Sequence, residues 1–188
     1  VSAEARPAAP VRVTVATDLD AATSARYYEL YRETFGELEH RAVARQLLHE
    51  SEFLEEMHDP RVSKYLAWDG DQVIGLTTLT RHLETVPWIS PGYFAHHYPE
   101  QSARDAVYYL GFTLVRPGHR QQRVFGAMIA AVTDLILAER AVCAWDICLY
   151  NDELGLGAGI QQMLSVHAAL DVHPIDRQTY YAAEHVVR

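Results

Sequence analysis

The sequence predicts an α/β (α+β) chain, and three observations carry that prediction. Short apolar or alternating runs interleave with runs of helical spacing, so neither strands nor helices alone account for the pattern. Asp69-Gly70-Asp71 separates two strand-like runs, 62–68 and 72–79, and an Asp-Gly pair in that setting signals a hairpin. An apolar, aromatic run at 106–115 leads through a short basic loop into an apolar-periodic run at 124–137, which reads as a strand feeding a helix.

Taken in order, residues 11–16 read as a first strand, and Asp18 or Asp20 can cap the helix that follows. Tyr27, Leu30, Tyr31 and Phe35 fall at helical spacing, with Gly36 as a stop. Val43, Leu47, Leu48, Leu54 and Met57 repeat the pattern in a second helix ending near Asp59-Pro60. After the hairpin, residues 82–102 hold Pro87 and Pro91 and lack a clean period, so an irregular or partly helical insertion is expected, long enough to shape a pocket. The strand at 106–115 and helix at 124–137 come next, then a strand at 142–149, a helix at 154–170 and a final strand at 178–183.

At 188 residues the chain suits one domain, 11–188, behind an Ala- and Pro-rich flexible leader at 1–10 that lacks a secretion-signal pattern. No apolar run approaches the roughly 20 residues of a membrane span. A net charge of −9 argues against general nucleic-acid binding. Cys143 and Cys148 are an odd number of residues apart in one predicted strand, on opposite faces, so no disulfide is expected and a cytoplasmic location is the default. Either a monomer or a homodimer is compatible with the sequence.

The most informative stretch is Val115-Arg116-Pro117-Gly118-His119-Arg120-Gln121-Gln122-Arg123-Val124-Phe125-Gly126-Ala127. A helix N-terminus behind a basic loop is an anion site: outward N–H groups and the helix dipole favour negative charge, and Arg120 and Arg123 can add charge-assisted bonds to a phosphate. The bland alternative is a solvated loop. The stretch resembles the acyl-donor loop of the GNAT superfamily of N-acyltransferases, in which a strand ending in Val-x-Pro precedes Arg-Gly-x-Gly-x-Gly and a helix. Val115, Pro117, Arg120, Gly126, Ala127, Met128 and Ile129 fit that pattern, while Gln121, Arg123 and Phe125 stand where the glycines belong. The order of elements over about 11–183 is also similar to that superfamily.

The resemblance implies a mixed, mostly antiparallel sheet flanked by helices and splayed between strands 4 and 5, with the donor's pantetheine in the split. Carried over, Thr113, Leu114 and Val115 contact pantetheine, residues Gln121, Gln122, Arg123, Val124, Phe125 and Gly126 contact phosphate together with Arg120, and Asn151 occupies another frequent position. Side chains in place of close-approach glycines crowd a pyrophosphate. A phosphopantetheine thioester on an acyl-carrier protein, with one phosphate, is therefore placed slightly ahead of acyl-CoA as cosubstrate. No tightly bound cofactor and no metal are expected.

Acyl transfer to an amine needs a deprotonated amine, a polarised carbonyl and a protonated leaving thiolate. Tyr109 lies near the family's strand-4 glutamate, and core packing is its bland alternative. Asp146, a carboxylate within an apolar run, reads equally as a base or as a buried structural group. The family's helix tyrosine, seven residues after the Asn, is replaced by Ala158, for which Tyr150 or Tyr181 can substitute. Tyr31, Trp88, His96, His97 and Tyr181 are candidate acceptor contacts. Two function classes follow: an N-acyltransferase acting on a small-molecule amine, as in specialised metabolism, or a non-catalytic GNAT-like binding or regulatory domain.

Overall fold

A computed structural model describes residues 11–118, 121–166 and 170–186, with side chains in the helix at 121 given from Arg123 onward. The leader, Arg120, and the side chains of Gln121 and Gln122 lie outside the described residues. Five strands form one sheet in the order β1-β2-β3-β4-β5: β1 (Arg12–Ala16), β2 (Val62–Asp69), β3 (Gln72–Thr80), β4 (Val107–Val115) and β5 (Val142–Ala144). The first four pair antiparallel, and β5 joins β4 in parallel.

Helix α1 (Ala21–Phe35) starts where Asp20 accepts the Thr23 N–H at 2.9 Å, so of the two candidate caps Asp20 is used. Helix α2 is Glu50–His58, shorter than the second helix expected from residue 43. Glu52 accepts the His49 N–H at 2.7 Å and sets the start there. The preceding 41–49 segment is instead tied to α1, where the Tyr31 hydroxyl donates to Gln46 O at 3.1 Å and accepts from Leu48 N at 2.9 Å. Gly70 adopts φ 59° in the two-residue turn between β2 and β3, a conformation that glycine takes without Cβ strain. The insertion is partly helical, with a 3-10 turn at Leu83–Thr85, α3 (Pro91–His97) and α4 (Pro99–Ser102).

Helices α1 and α2 cover one face of the sheet through Tyr27, Tyr31, Phe53, Met57, Leu66, Leu76 and Leu114. The ring of Phe112 on β4 meets Tyr31 edge-on at 4.9 Å, a geometry worth about 0.5–1.5 kcal/mol beyond burial. Helix α5 (Gln121–Glu139) covers the other face, setting Val124, Met128, Val132 and Ile136 against Tyr65, Ile74, Leu79 and Tyr108.

Two expectations beyond α5 are corrected. The strand expected at 142–149 ends at Ala144, and Leu149–Glu153 forms helix α6. Among the described residues β5 pairs with β4 alone, and that pairing stops at Tyr109↔Ala144. Cys148 therefore lies outside the strand at the start of α6, and both cysteines are free. The strand expected at 178–183 is absent: residues 170–186 hold no helix or strand. Their backbone is tied by Tyr93, whose hydroxyl donates to Ile175 O, and by Gln161, whose amide donates to Val172 O. Helix α7 is Leu156–Ser165, entered through Gly155 at φ 84°.

Candidate active site at the split of the sheet

Strand β4 spans nine residues, but only Val107, Tyr108 and Tyr109 pair with β5. Beyond Tyr109 the two strands part. A bulge lies at that point: β3 pairs Thr77 with Thr113 and Leu79 with Leu110, so Gly111 and Phe112 together oppose Thr78. The bulge turns both residues toward the α1/α2 face, and it coincides with the opening of the split.

Past the bulge, the Phe112 N–H is directed at Thr78 Oγ1 and the Arg116 N–H at Ile74 O, both toward β3. Strand alternation then turns the N–H groups of Thr113 and Val115 to the open edge. A free strand edge of this kind pairs readily with an extended amide-bearing ligand. The Thr113 side chain bonds Thr77 Oγ1 at 2.6 Å, and Leu114 is fully buried in the α1/α2 core, so any ligand contact at these positions is through backbone.

At the far end of β4, Arg116, Pro117 and Gly118 lead toward α5, with Gly118 at φ 78°. Arg123 is exposed on the first turn of α5. Val124 is buried against the sheet and Phe125 is half-buried beside it. Gly126 faces α7, where a Cβ would stand 4.0 Å from Met163 Sδ. Asn151 is half-buried on α6.

The structure brings three of the candidate residues together at the closed end of the split. The Tyr109 hydroxyl donates to Asp146 Oδ1, and the Trp88 indole N–H reaches Tyr109 Oη at 3.2 Å and Asp146 Oδ1 at 3.3 Å. Tyr109 is buried among Leu83, Val86, Phe94 and Ala144, which is how the insertion docks on the sheet. Burial, followed by the bond to Asp146, pushes its phenol well above the usual tyrosine range. Tyr109 is thus a fixed neutral donor at ordinary pH. Trp88 is 55% exposed and Asp146 is exposed, so a carboxylate and an aromatic face are presented side by side to solvent.

The other candidates lie elsewhere. Tyr31 is buried with its hydroxyl engaged by backbone on both sides. His96 and His97 are exposed on α3, the latter against Tyr93 at 4.3 Å. Tyr150 is half-buried on α6 under the Arg41 guanidinium at 5.4 Å. Tyr181 is exposed in the C-terminal segment. A surface cleft of about 660 Å³ lies at the opposite end of β4, between α1 and the β2–β3 turn, with Arg26, Arg116, Asp69 and Asp71 on its walls. Among the described residues no group of three or more His, Cys, Asp or Glu side chains is arranged for a metal ion. No described helix is long and apolar enough to cross a membrane.

Sequence signal missed one group at the bulge. Glu56 is one of four glutamates on α2 that the sequence does not single out, yet it is half-buried beside Thr78. Its spacing from Phe53 and Met57, both fully buried, is the signal that could have placed it on the sheet side.

No protein-family profile and no curated protein matches the chain. Solved structures do. A probable acetyltransferase aligns with a TM-score of 0.55 at 12% identity over 93% of this chain and 99% of its own. An aminoglycoside acetyltransferase from an uncultured soil metagenomic sample, in complex with trehalose, aligns at 0.51 and 10% identity over 93% and 97%. The aminoglycoside N-acetyltransferase AAC(6')-Iy, in complex with CoA, aligns at 0.51 and 17% identity over 95% and 99%. With the mixed sheet, the bulge and the split, these likenesses establish that the chain has the fold of the GNAT acyltransferases.

Proposed function

We propose that this protein is an N-acyltransferase that takes an acyl group from a pantetheine thioester and delivers it to the amine of a small molecule. The observation that carries the reading is the open edge of β4 beyond Tyr109, next to a basic junction into α5. The pantetheine arm pairs with the backbone of Thr113 and Val115, which brings the thioester to the bulge. The Thr113 N–H is the donor best directed to polarise its carbonyl. Similarity of fold to an acetyltransferase in complex with CoA and to aminoglycoside acetyltransferases supports both halves of the reaction.

Asp146 and Trp88 meet the incoming acceptor. Tyr109 and Trp88 both donate to Oδ1 of Asp146 and hold the carboxylate in place, which suits it to orienting a cationic amine beside the indole face. Tyr150 is the candidate to protonate the leaving thiolate. His96, His97 and Tyr181 remain candidate outer contacts to the acceptor.

The donor is acyl-phosphopantetheine on a carrier protein in preference to acyl-CoA. Arg123 and Phe125 occupy positions where bare backbone would otherwise approach a pyrophosphate, whereas a single phosphate needs no such close approach and suits arginine side chains such as those of Arg120 and Arg123. The lost glycines and Ala158 also favour a second reading, a GNAT-like module that binds a thioester without turnover. Incubation of the protein with acyl-carrier protein or matching acyl-CoA and a panel of primary amines, followed by thiol release and product mass, separates these. A higher kcat/KM with the carrier, falling as salt rises, is expected. Efficient acyl-CoA turnover with no gain from the carrier rejects the donor preference, and thioester binding without any amide product favours the module.

A further inference from the structure

The bulge of β4 faces a second carboxylate. Glu56 follows Phe53 by one helical turn and precedes Met57, both fully buried, so α2 turns it toward the sheet. Beneath it runs a polar row. Lys64 on β2 pairs across the strands with Thr78 on β3, and Thr78 opposes Gly111 and Phe112 on β4. The Thr78 hydroxyl accepts the Phe112 N–H at 3.3 Å and lies beside Glu56, whose ionised form it favours. Gly111 packs its bare backbone against this pair: a Cβ there would lie 2.5 Å from Thr78 Oγ1 and 3.7 Å from Glu56 Oε1. Glu56 is half-buried, not sealed.

The charged and titratable groups around Glu56 are Lys64 from β2, Asp59 from the turn after α2 and Tyr31 from α1. Lys64 spends its ammonium on the carbonyls of Thr17 at 2.9 Å and Asp59 at 2.7 Å. Desolvation outweighs the Thr78 bond and the Lys64 charge, and Glu56 is raised above the ordinary carboxylate range. That direction makes it a better proton acceptor than a solvated carboxylate.

We propose that Glu56 is the catalytic base, taking the proton of the acceptor amine at the β4 bulge. The role rests on the acyltransferase reading above. The acceptor arrives as an ammonium, and its first proton passes to Glu56 and then to water. The freed nitrogen lone pair forms the N–C bond at the thioester carbon. The C–S bond breaks with its electron pair on sulfur, and the second N–H proton ends on that sulfur, giving amide and thiol. Glu56 acts on the α1/α2 side of the bulge and Asp146 at the closed end of the split, so one takes the proton and the other orients the substrate.

The test is the pH dependence of kcat/KM for acyl transfer to a primary amine, in wild type, Glu56→Gln and Thr78→Val. Circular dichroism, thermal midpoint and calorimetric binding of the donor thiol serve as controls. Glu56→Gln is expected to fold, to bind the donor thiol as wild type does, and to lose about 100- to 10,000-fold in kcat/KM, the range for removing a general base. The acid limb of the profile should vanish with it. Thr78→Val removes a bond that favours the ionised carboxylate, so its acid limb should move to higher pH. A folded Glu56→Gln with wild-type rate and acid limb overturns the proposal while leaving the acyltransferase reading intact. If Glu56→Gln does not fold, an unmoved limb in Thr78→Val overturns it instead. Absence of transfer by the wild type from both carrier and CoA thioesters overturns both readings together.

Discussion

At Asp146 a single carboxylate oxygen accepts from two aromatic donors, and each donor has its own reason to be there. Tyr109 is buried by the insertion, while Trp88 is half in water. On the acyltransferase reading proposed above, Asp146→Asn should preserve the packing and remove the charge offered to a cationic acceptor. The expected outcome is a rise in acceptor KM of about 10- to 100-fold, in line with the loss of one charge-assisted bond, with donor KM and thermal midpoint little changed. Steady-state kinetics with each substrate varied in turn checks it. Tyr109→Phe keeps the buried ring and frees one donor from Asp146. A smaller KM effect and a stability loss of about 1 kcal/mol are expected from denaturant unfolding. The residue types at this cluster were legible in the sequence, but their meeting was not. Trp88, Tyr109 and Asp146 come from an insertion, a strand and a loop, and only the docking of Phe94 and Leu83 onto β4 brings them together.

At the scale of elements, the site depends on one extra residue in β4. Gly111 is the position where the bulge brings backbone against Thr78, and a methyl there would stand 2.5 Å from the Thr78 hydroxyl. Gly111→Ala should cost about 1–3 kcal/mol through overpacking and also lower transfer, because Thr78 and Phe112 must shift together. Denaturant unfolding and initial rates check the two effects. The hairpin, α1 and the strand-to-helix junction were readable because local chemistry determines them: Gly70 in a positive-φ turn, Asp20 as a cap, and period changes along the chain. The bulge was not readable, since Gly111-Phe112 looks like ordinary alternation until β3 supplies the register. The end of β5 was misread for a related reason. Residues 142–149 have the composition of a strand, but β4 has already turned away after three pairs. Residues 178–183 likewise find no strand partner.

For the molecule as a whole, the sole lysine of the sequence gives a pH signature. Burial lowers Lys64 to about 8, against roughly 10.4 when unfolded. Between those values the unfolded chain binds more protons than the folded one, so stability contributed by this group rises with pH across about 8 to 10.4 and is flat below 8. Tyr27 and Tyr109 are shifted upward by burial, so the folded state holds protons that the unfolded chain loses above about 10, and stability then falls. Burial also pushes the Cys143 thiol up to about 12, which opposes the Lys64 gain above about pH 9, so urea midpoints should rise only between about pH 8 and 9, level off and then drop above about 10, and Lys64→Met should remove the rise. The sequential order of the sheet has a consequence for assembly during synthesis. Strands β1 to β4 pair antiparallel with successive neighbours and can close around the α1/α2 core as soon as residue 115 is available. The parallel partner β5 must wait for the whole α5 crossover, and Asp146 arrives after it. The nascent protein thus completes the α1/α2 side of its core first and the split beside β4 last, so the open strand edge gains its frame only on a chain that already has a centre.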